Sequence, residues 1–205
     1  MNPLIRDKCA VLGICSVDKR AEVAKSIYYG LLSLQHRGQE SAGIATYDGA
    51  QIYLRKSMGL VSEVFPENEL KTLVGYAGIG HVRYSTTGES KLENAHPLLV
   101  DGKRGRLSIV HNGNLVNYSQ LRKELELKGC KLQTTTDTEV IGLAIAMEDG
   151  DLVKAIAKTM EKLEGSYSFI ILTDKGEFAA VRDPLGFRPL CLGEDTKKFI
   201  FASET

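Results

Sequence analysis

Apolar positions along this chain fall into short blocks whose period switches between that of a strand and that of a helix. Residues 10–15 are almost wholly apolar and too few for a helix, which predicts a short buried strand. Within it Cys15 shares the face of Val11 and reads as core packing. Asp18 then caps a predicted helix in which Val23, Ala24, Ile27, Tyr28, Leu31 and Leu32 recur at helical spacing, ending near Gln35. Residues 44–47 and 52–55 flank Asp48-Gly49, a hairpin turn signal, and 77–83 and 107–111 read as further strands.

Three helix starts follow. Asn117 with Gln120 opens a helix carrying Leu121 and Leu125 that Gly129 stops, and Thr136 with Glu139 opens the apolar stretch 140–147. Asp151 opens a third, through Ile156, Ala157, Met160 and Leu163, that Gly165 closes. Residues 167–173, 178–182 and 199–202 complete a second group of strands. Helices gathered between groups of strands, instead of alternating with each strand, predict an α+β fold with sheets and helices in layers.

The 205 residues suffice for one large domain with its own core. Basic and acidic side chains balance, so no basic field exists to hold nucleic acid or an anionic membrane. No apolar run reaches bilayer-spanning length, and residues 1–8 carry Arg6, Asp7 and Lys8 without the apolar stretch of a secretory signal. The expectation is a cytoplasmic protein whose partners are small molecules or proteins. Cys9, Cys15, Cys130 and Cys191 form no C-x-x-C pair, and the four histidines have no ligand spacing, so no metal site is expected. The chain stops just after a predicted strand, at Ser203-Glu204-Thr205, as one part of a longer polypeptide would.

Four polar, turn-rich segments stand out: 34–43, 80–88, 111–114 and 134–139, each at the end of a predicted element or just before a helix, where binding groups are presented. Taken singly each reads as ordinary: Asn112-Gly113 as a hairpin pair, Asp137 as a favourable charge at a helix start, Arg83 as a surface ion-pair partner. Together with Cys9, with 58–65 and with the segment 182–190, Arg-Asp-Pro-Leu-Gly-Phe-Arg-Pro-Leu, they resemble in kind and order the class II glutamine amidotransferases of the N-terminal nucleophile hydrolase fold. The resemblance covers nearly the whole chain, and segment 182–190 favours the purine-pathway members.

That resemblance implies a four-layer αββα sandwich, a leader of residues 1–8 that is removed, and a glutaminase domain over 9–205. Cys9 would then be the N-terminal residue, its thiol attacking the glutamine amide and its α-amine handling the proton. An α-amine titrates at about 7.7–8.0 and a thiol at about 8.5, so one residue supplies both base and nucleophile near neutral pH. By the same resemblance Asn112 and Gly113 are the side-chain and backbone donors of the oxyanion hole. Arg83 binds the glutamine α-carboxylate and Asp137 its α-ammonium, Arg37 and Gly38 border and orient the nucleophile, and Thr86 belongs to a loop closing over substrate. No cofactor is implied, and His36, His81, His96 and His111 are assigned no chemistry. Ala10 departs from the glycine common after the nucleophile, placing a methyl group beside the site.

The implied partner is a phosphoribosyltransferase domain or chain that receives the ammonia and that this sequence lacks; a homo-oligomer stays open. Two other readings remain at this point. One is a stand-alone class II amidohydrolase serving a separate partner chain, and the other is a non-catalytic glutamine sensor that keeps its leader.

Overall fold

A computed structural model of the chain describes residues 9–84 and 90–205. The expectations for the leader 1–8 and for Thr86 lie outside the described residues. Six strands form one antiparallel sheet. Inside it β1 (Ala10–Ser16) lies between β4 (Ala77–Arg83) and β10 (Lys198–Ala202). Beyond β4 come β2 (Ser41–Tyr47) and β3 (Ile52–Met58), and beyond β10 comes β9 (Cys191–Glu194). The second antiparallel sheet runs in chain order through β5 (Leu98–Gly102), β6 (Gly105–Leu115), β7 (Gly165–Thr173) and β8 (Phe178–Arg182).

The sheets stack with β1 and β4 against β6 and β7. Val11, Ala45, Tyr47, Ala77 and Ile79 meet Val110, Ile170 and Leu172 in the gap between them. Alternate residues of β1 serve two different cores: Val11 and Cys15 face the second sheet, while Ala10, Leu12 and Ile14 pack with Ile27 and Leu31 of α1 (Ala24–Ser33). A strand buried on both faces needs apolar residues at every position, which is why its run is continuous and not alternating. The short α2 (Val61–Val64) and α3 (Glu67–Leu70) flank α1. On the far side α4 (Tyr118–Leu127), α5 (Asp137–Met147) and α6 (Leu152–Met160) cover the second sheet. The order of layers is therefore αββα, as expected. Among the described residues no helix is long and apolar enough to cross a membrane.

Several local expectations are corrected. Asp18 does not cap α1; its carboxylate accepts the Arg20 N–H in a preceding turn, and Val23 stands at the cap without a side-chain bond. The Asn117 side chain also leaves its own helix: it donates to the Lys162 carbonyl at 2.8 Å and accepts the Glu164 N–H at 3.2 Å, tying α4 to the approach of β7. Thr136 and Asp151 do cap α5 and α6, accepting from Glu139 N and Lys154 N. Gly165 begins β7 and does not end α6. β10 joins the first sheet rather than the second group of strands, because its partner is β1, at the opposite end of the sequence. The edge strands β5 and β9 and the short helices α2 and α3 carry no strong period and were not anticipated.

Candidate active site

Cys9 sits immediately before β1 with φ of 66°, a left-handed conformation unfavourable for any residue bearing a Cβ. Arg37 holds it there from both sides. The Cys9 N–H donates to the Arg37 carbonyl at 3.0 Å, and Arg37 Nε donates to the Cys9 carbonyl at 2.9 Å. Arg37 is itself buried, and its Nη1 donates to Glu204 Oε1 at 2.7 Å. The next residue must be glycine. A Cβ on Gly38 would lie 2.6 Å from the Val82 carbonyl carbon, so only a bare backbone lets this turn press on the end of β4.

The Cys9 sulfur contacts the Tyr84 carbonyl and accepts the Tyr84 N–H, both at 3.3 Å. Burial pushes the thiol above its usual range; the Tyr84 bond and the charges of Arg83 and Arg188 oppose this, and Glu40 adds to it. A thiol so placed is protonated at neutral pH and needs a base to become a nucleophile. With residues 1–8 attached, the Cys9 nitrogen is an amide and cannot be that base. Ala10 is fully buried and its methyl packs in the α1 core, so the departure at this position is accommodated.

Along β4 the residues facing the second sheet run Ala77, Ile79, His81 and Arg83, apolar at one end and charged at the other. Arg83 is buried at the charged end, where Nη1 pairs with Glu40 Oε1. The facing strand, β6, obeys the same alternation: Val110 points into the gap between sheets, and so, two residues on, does Asn112. Asn112 is 1% exposed, and its Nδ2 has no hydrogen-bond partner among the described residues. Buried amide donors are nearly always bonded, so this one, at the end of the inter-sheet gap, is available to a water or a ligand. At Gly113 a Cβ would lie 2.2 Å from the Ser166 carbonyl oxygen and 2.5 Å from His111 Nε2, which excludes every other residue.

The opposite face of β6 meets the start of α5. Asp137 accepts the Leu115 N–H at 3.0 Å through Oδ2, and its Oδ1 lies 3.4 Å from His111 Nδ1. Burial pulls this carboxyl up, but His111 and the Leu115 and Thr138 N–H groups outweigh it and hold it below the usual range. Asp137 is thus an anion with little solvent around it. His81 Nε2 lies 3.0 Å from the His111 carbonyl and 3.4 Å from His96 Nδ1, which makes Nε2 the protonated nitrogen of His81. Burial lowers His81 to about 3 and His96 well below its ordinary value, so both are neutral spacers between the sheets.

The candidate residues therefore form two groups, Cys9, Arg37, Gly38 and Arg83 with the first sheet and Asn112 and Gly113 on the second, bridged by His81, with Asp137 at the start of α5 behind the second sheet. Thr86 lies outside the described residues. Sequence reasoning overlooked Glu40, Tyr84, Arg188 and Glu204, and it assigned no chemistry to His111, which faces Asp137. Glu40 and Tyr84 lie inside segments already singled out, and Arg188 lies in segment 182–190, where buried Asp183 accepts the Leu185 and Phe187 N–H groups and shapes the turn before it. Glu204 carries no local signal at all. Among the described residues no group of three or more His, Cys, Asp or Glu side chains could hold a metal ion.

Two stacked antiparallel sheets, with a cysteine at the head of an inner strand and a free amide donor on the facing one, define an N-terminal nucleophile hydrolase fold with a site suited to amide chemistry. The family described as "Glutamine amidotransferase domain" matches residues 81–205, and the chain belongs to it. Its relatives narrow the comparison. The amidophosphoribosyltransferase of Methanocaldococcus jannaschii is 49% identical over 96% of this chain and 42% of its own length, and that of Bacillus subtilis is 41% identical over 98% and 42%. The solved glutamine phosphoribosylpyrophosphate amidotransferase from B. subtilis, complexed with ADP and GMP, superposes with a TM-score of 0.86 at 42% identity, covering 95% of this chain and 42% of that one. The chain thus spans about two fifths of the length of these relatives. A glutamine amidotransferase class-II domain protein from Silicibacter pomeroyi, at 15% identity and a TM-score of 0.60, shares the fold.

Proposed function

We propose that residues 9–205 are the glutaminase part of an amidophosphoribosyltransferase, acting in the cytoplasm once residues 1–8 are removed. Glutamine is hydrolysed through a thioester on Cys9. The ammonia passes to a phosphoribosyltransferase domain and displaces pyrophosphate from phosphoribosyl pyrophosphate, giving phosphoribosylamine for purine synthesis. The observation that carries the hydrolytic reading is the buried, unpartnered Nδ2 of Asn112, aimed into the gap at whose end Cys9 and Arg83 lie. The likeness to amidophosphoribosyltransferases over nearly the whole chain supports the destination of the ammonia.

The steps follow from the groups present. The Cys9 thiol gives its proton to the liberated α-amine and the sulfur attacks the amide carbon, forming a carbon–sulfur bond and an oxyanion. Asn112 Nδ2 and the Gly113 N–H take up that charge. The α-ammonium returns the proton to the leaving nitrogen, the carbon–nitrogen bond breaks and ammonia departs. Water, deprotonated by the same amine, opens the thioester to glutamate. Arg83 and Asp137 bind the α-carboxylate and α-ammonium of glutamine; a substrate lacking either charge would forgo a charge-assisted bond, which sets the selectivity. Arg37 and Gly38 orient Cys9, and Thr86 contributes to glutamine binding. No cofactor is required, because one residue supplies nucleophile and base.

Intact mass and glutaminase assays of the purified protein test this reading. Activity should accompany loss of residues 1–8 and vanish in Cys9→Ala. Glutamine hydrolysis by a chain that retains its leader, or by Cys9→Ala, would refute it.

A further inference from the structure

We infer that Glu204 is a positioning residue for the nucleophile: its carboxylate holds the Arg37 guanidinium against the Cys9 carbonyl and so sets the turn from which sulfur and α-nitrogen are presented. This rests on the proposed role of Cys9.

Arg37 is the only residue seen to bond both the backbone N–H and the backbone carbonyl of Cys9 among the described residues, so the orientation of its side chain is transmitted directly to the nucleophile. The Arg37 side chain is 5% exposed, and a buried guanidinium keeps one orientation only if an anion fixes it. Glu204 Oε1 lies 2.7 Å from Arg37 Nη1, and its other oxygen lies 3.1 Å from Nε2 of the neighbouring His36. One carboxylate thus spans the turn carrying both residues.

Glu204 is in turn anchored to the strand that Cys9 begins. Beyond the pairing of Leu12 with Ala202, the Ser203 N–H donates to the Val11 carbonyl at 3.0 Å, and the Val11 N–H donates to Ser203 Oγ at 2.9 Å. Ser203 is buried. The end of β10 is therefore locked two residues from Cys9, which fixes where the next side chain, Glu204, can reach. The loop is closed: Cys9 to Arg37, Arg37 to Glu204, Ser203 to Val11, and along β1 back to Cys9.

The charge of Glu204 has a second consequence. Arg83, Glu40 and Arg188 also act on Cys9, and Arg37 is in direct contact with it. Neutralising Glu204 removes one negative charge from beside Arg37, whose guanidinium touches the Cys9 carbonyl, so the potential around the α-nitrogen becomes more positive and favours the neutral amine. A part that only holds the fold together would not shift that titration.

The test compares processed wild type with Glu204→Gln, Glu204→Asp and Glu204→Ala, with thermal unfolding to verify folding. In Glu204→Gln, kcat for glutamine should fall about tenfold to a hundredfold, as expected for a slightly misplaced nucleophile, with KM for glutamine changed less than about twofold. The acid limb of the pH profile should move to lower pH, and Glu204→Asp should recover part of the loss. Unchanged kcat and pH profile in Glu204→Gln and Glu204→Ala would overturn the inference; so would equal losses in all three variants with no shift in the profile. The rate at which iodoacetamide alkylates Cys9 across pH separates this from the proposed function, since it needs no glutamine. If wild type proved inactive on glutamine, the functional proposal would fail, yet altered alkylation in Glu204→Gln would still support positioning and identical alkylation would overturn it.

Discussion

Replacing Asn112 with alanine separates catalysis from stability in a way the geometry makes quantitative. Its Nδ2 is buried and has no hydrogen-bond partner among the described residues. In the transition state it would meet a full oxyanion, and losing one such donor costs about a hundredfold to a thousandfold in kcat, about 2.7–4 kcal/mol. KM for glutamine should change little, because in the proposed site Arg83 and Asp137 would hold the other end of the substrate. The effect on folding has the opposite sign. A buried donor without a partner costs about 1–3 kcal/mol, and deleting it relieves that cost. The small cavity left behind costs about 1 kcal/mol. Asn112→Ala should therefore be as stable as wild type, or more stable by up to about 2 kcal/mol, while nearly inactive. Steady-state glutaminase kinetics and urea denaturation measure the two quantities on the same preparation. A kcat within about threefold of wild type would refute the oxyanion role, and a variant both inactive and strongly destabilised would show that the amide is structural.

Arg83→Ala should raise KM for glutamine about tenfold to a hundredfold by removing a charge-assisted clamp, and an unchanged KM in steady-state assays would count against that role. Gly113→Ala would force a Cβ to within 2.2 Å of the Ser166 oxygen; the displaced strand should cost about 1–3 kcal/mol in a denaturation assay and most of kcat, and a variant of native stability and activity would contradict the packing. Burial lowers Lys56 from 10.5 to about 8, its Nζ donating to the Ala95 carbonyl at 2.6 Å. Between about pH 8 and 10.5 the unfolded chain then binds more protons at this site than the folded one, so Lys56 makes stability rise with pH across that window. Lys56→Met should remove this component from a pH series of urea melts; identical slopes in the two proteins would disprove the shift.

Much of this protein was legible one segment at a time. The continuous apolar run of β1, the bounds of β4 and the caps at Thr136 and Asp151 depend on chemistry within a few residues, and the structure reproduces them. The polar segments and their order placed the chain in its family, and the family match agrees. What escaped notice was non-local. Asn117 has the residue type of a cap, yet its side chain found better partners at Lys162 and Glu164 once β7 had been brought alongside α4. β10 joined the first sheet because β1 offered it a two-faced core, a choice invisible in its own five residues. Short edge strands such as β5 and β9 draw their order from a neighbour.

The same division runs through the site. Taken singly Cys9, Arg83, Asn112 and Asp137 read as ordinary residues, and only the family resemblance carried by the ordered segments marked them as candidates. Only the tertiary structure decides that Arg83 meets Glu40, that the Asn112 amide is buried, and that Glu204 reaches back to Arg37. Period and capping are written in neighbouring residues, whereas burial and strand register arise from pairing between segments far apart in the chain, and those exist only once the layers have closed.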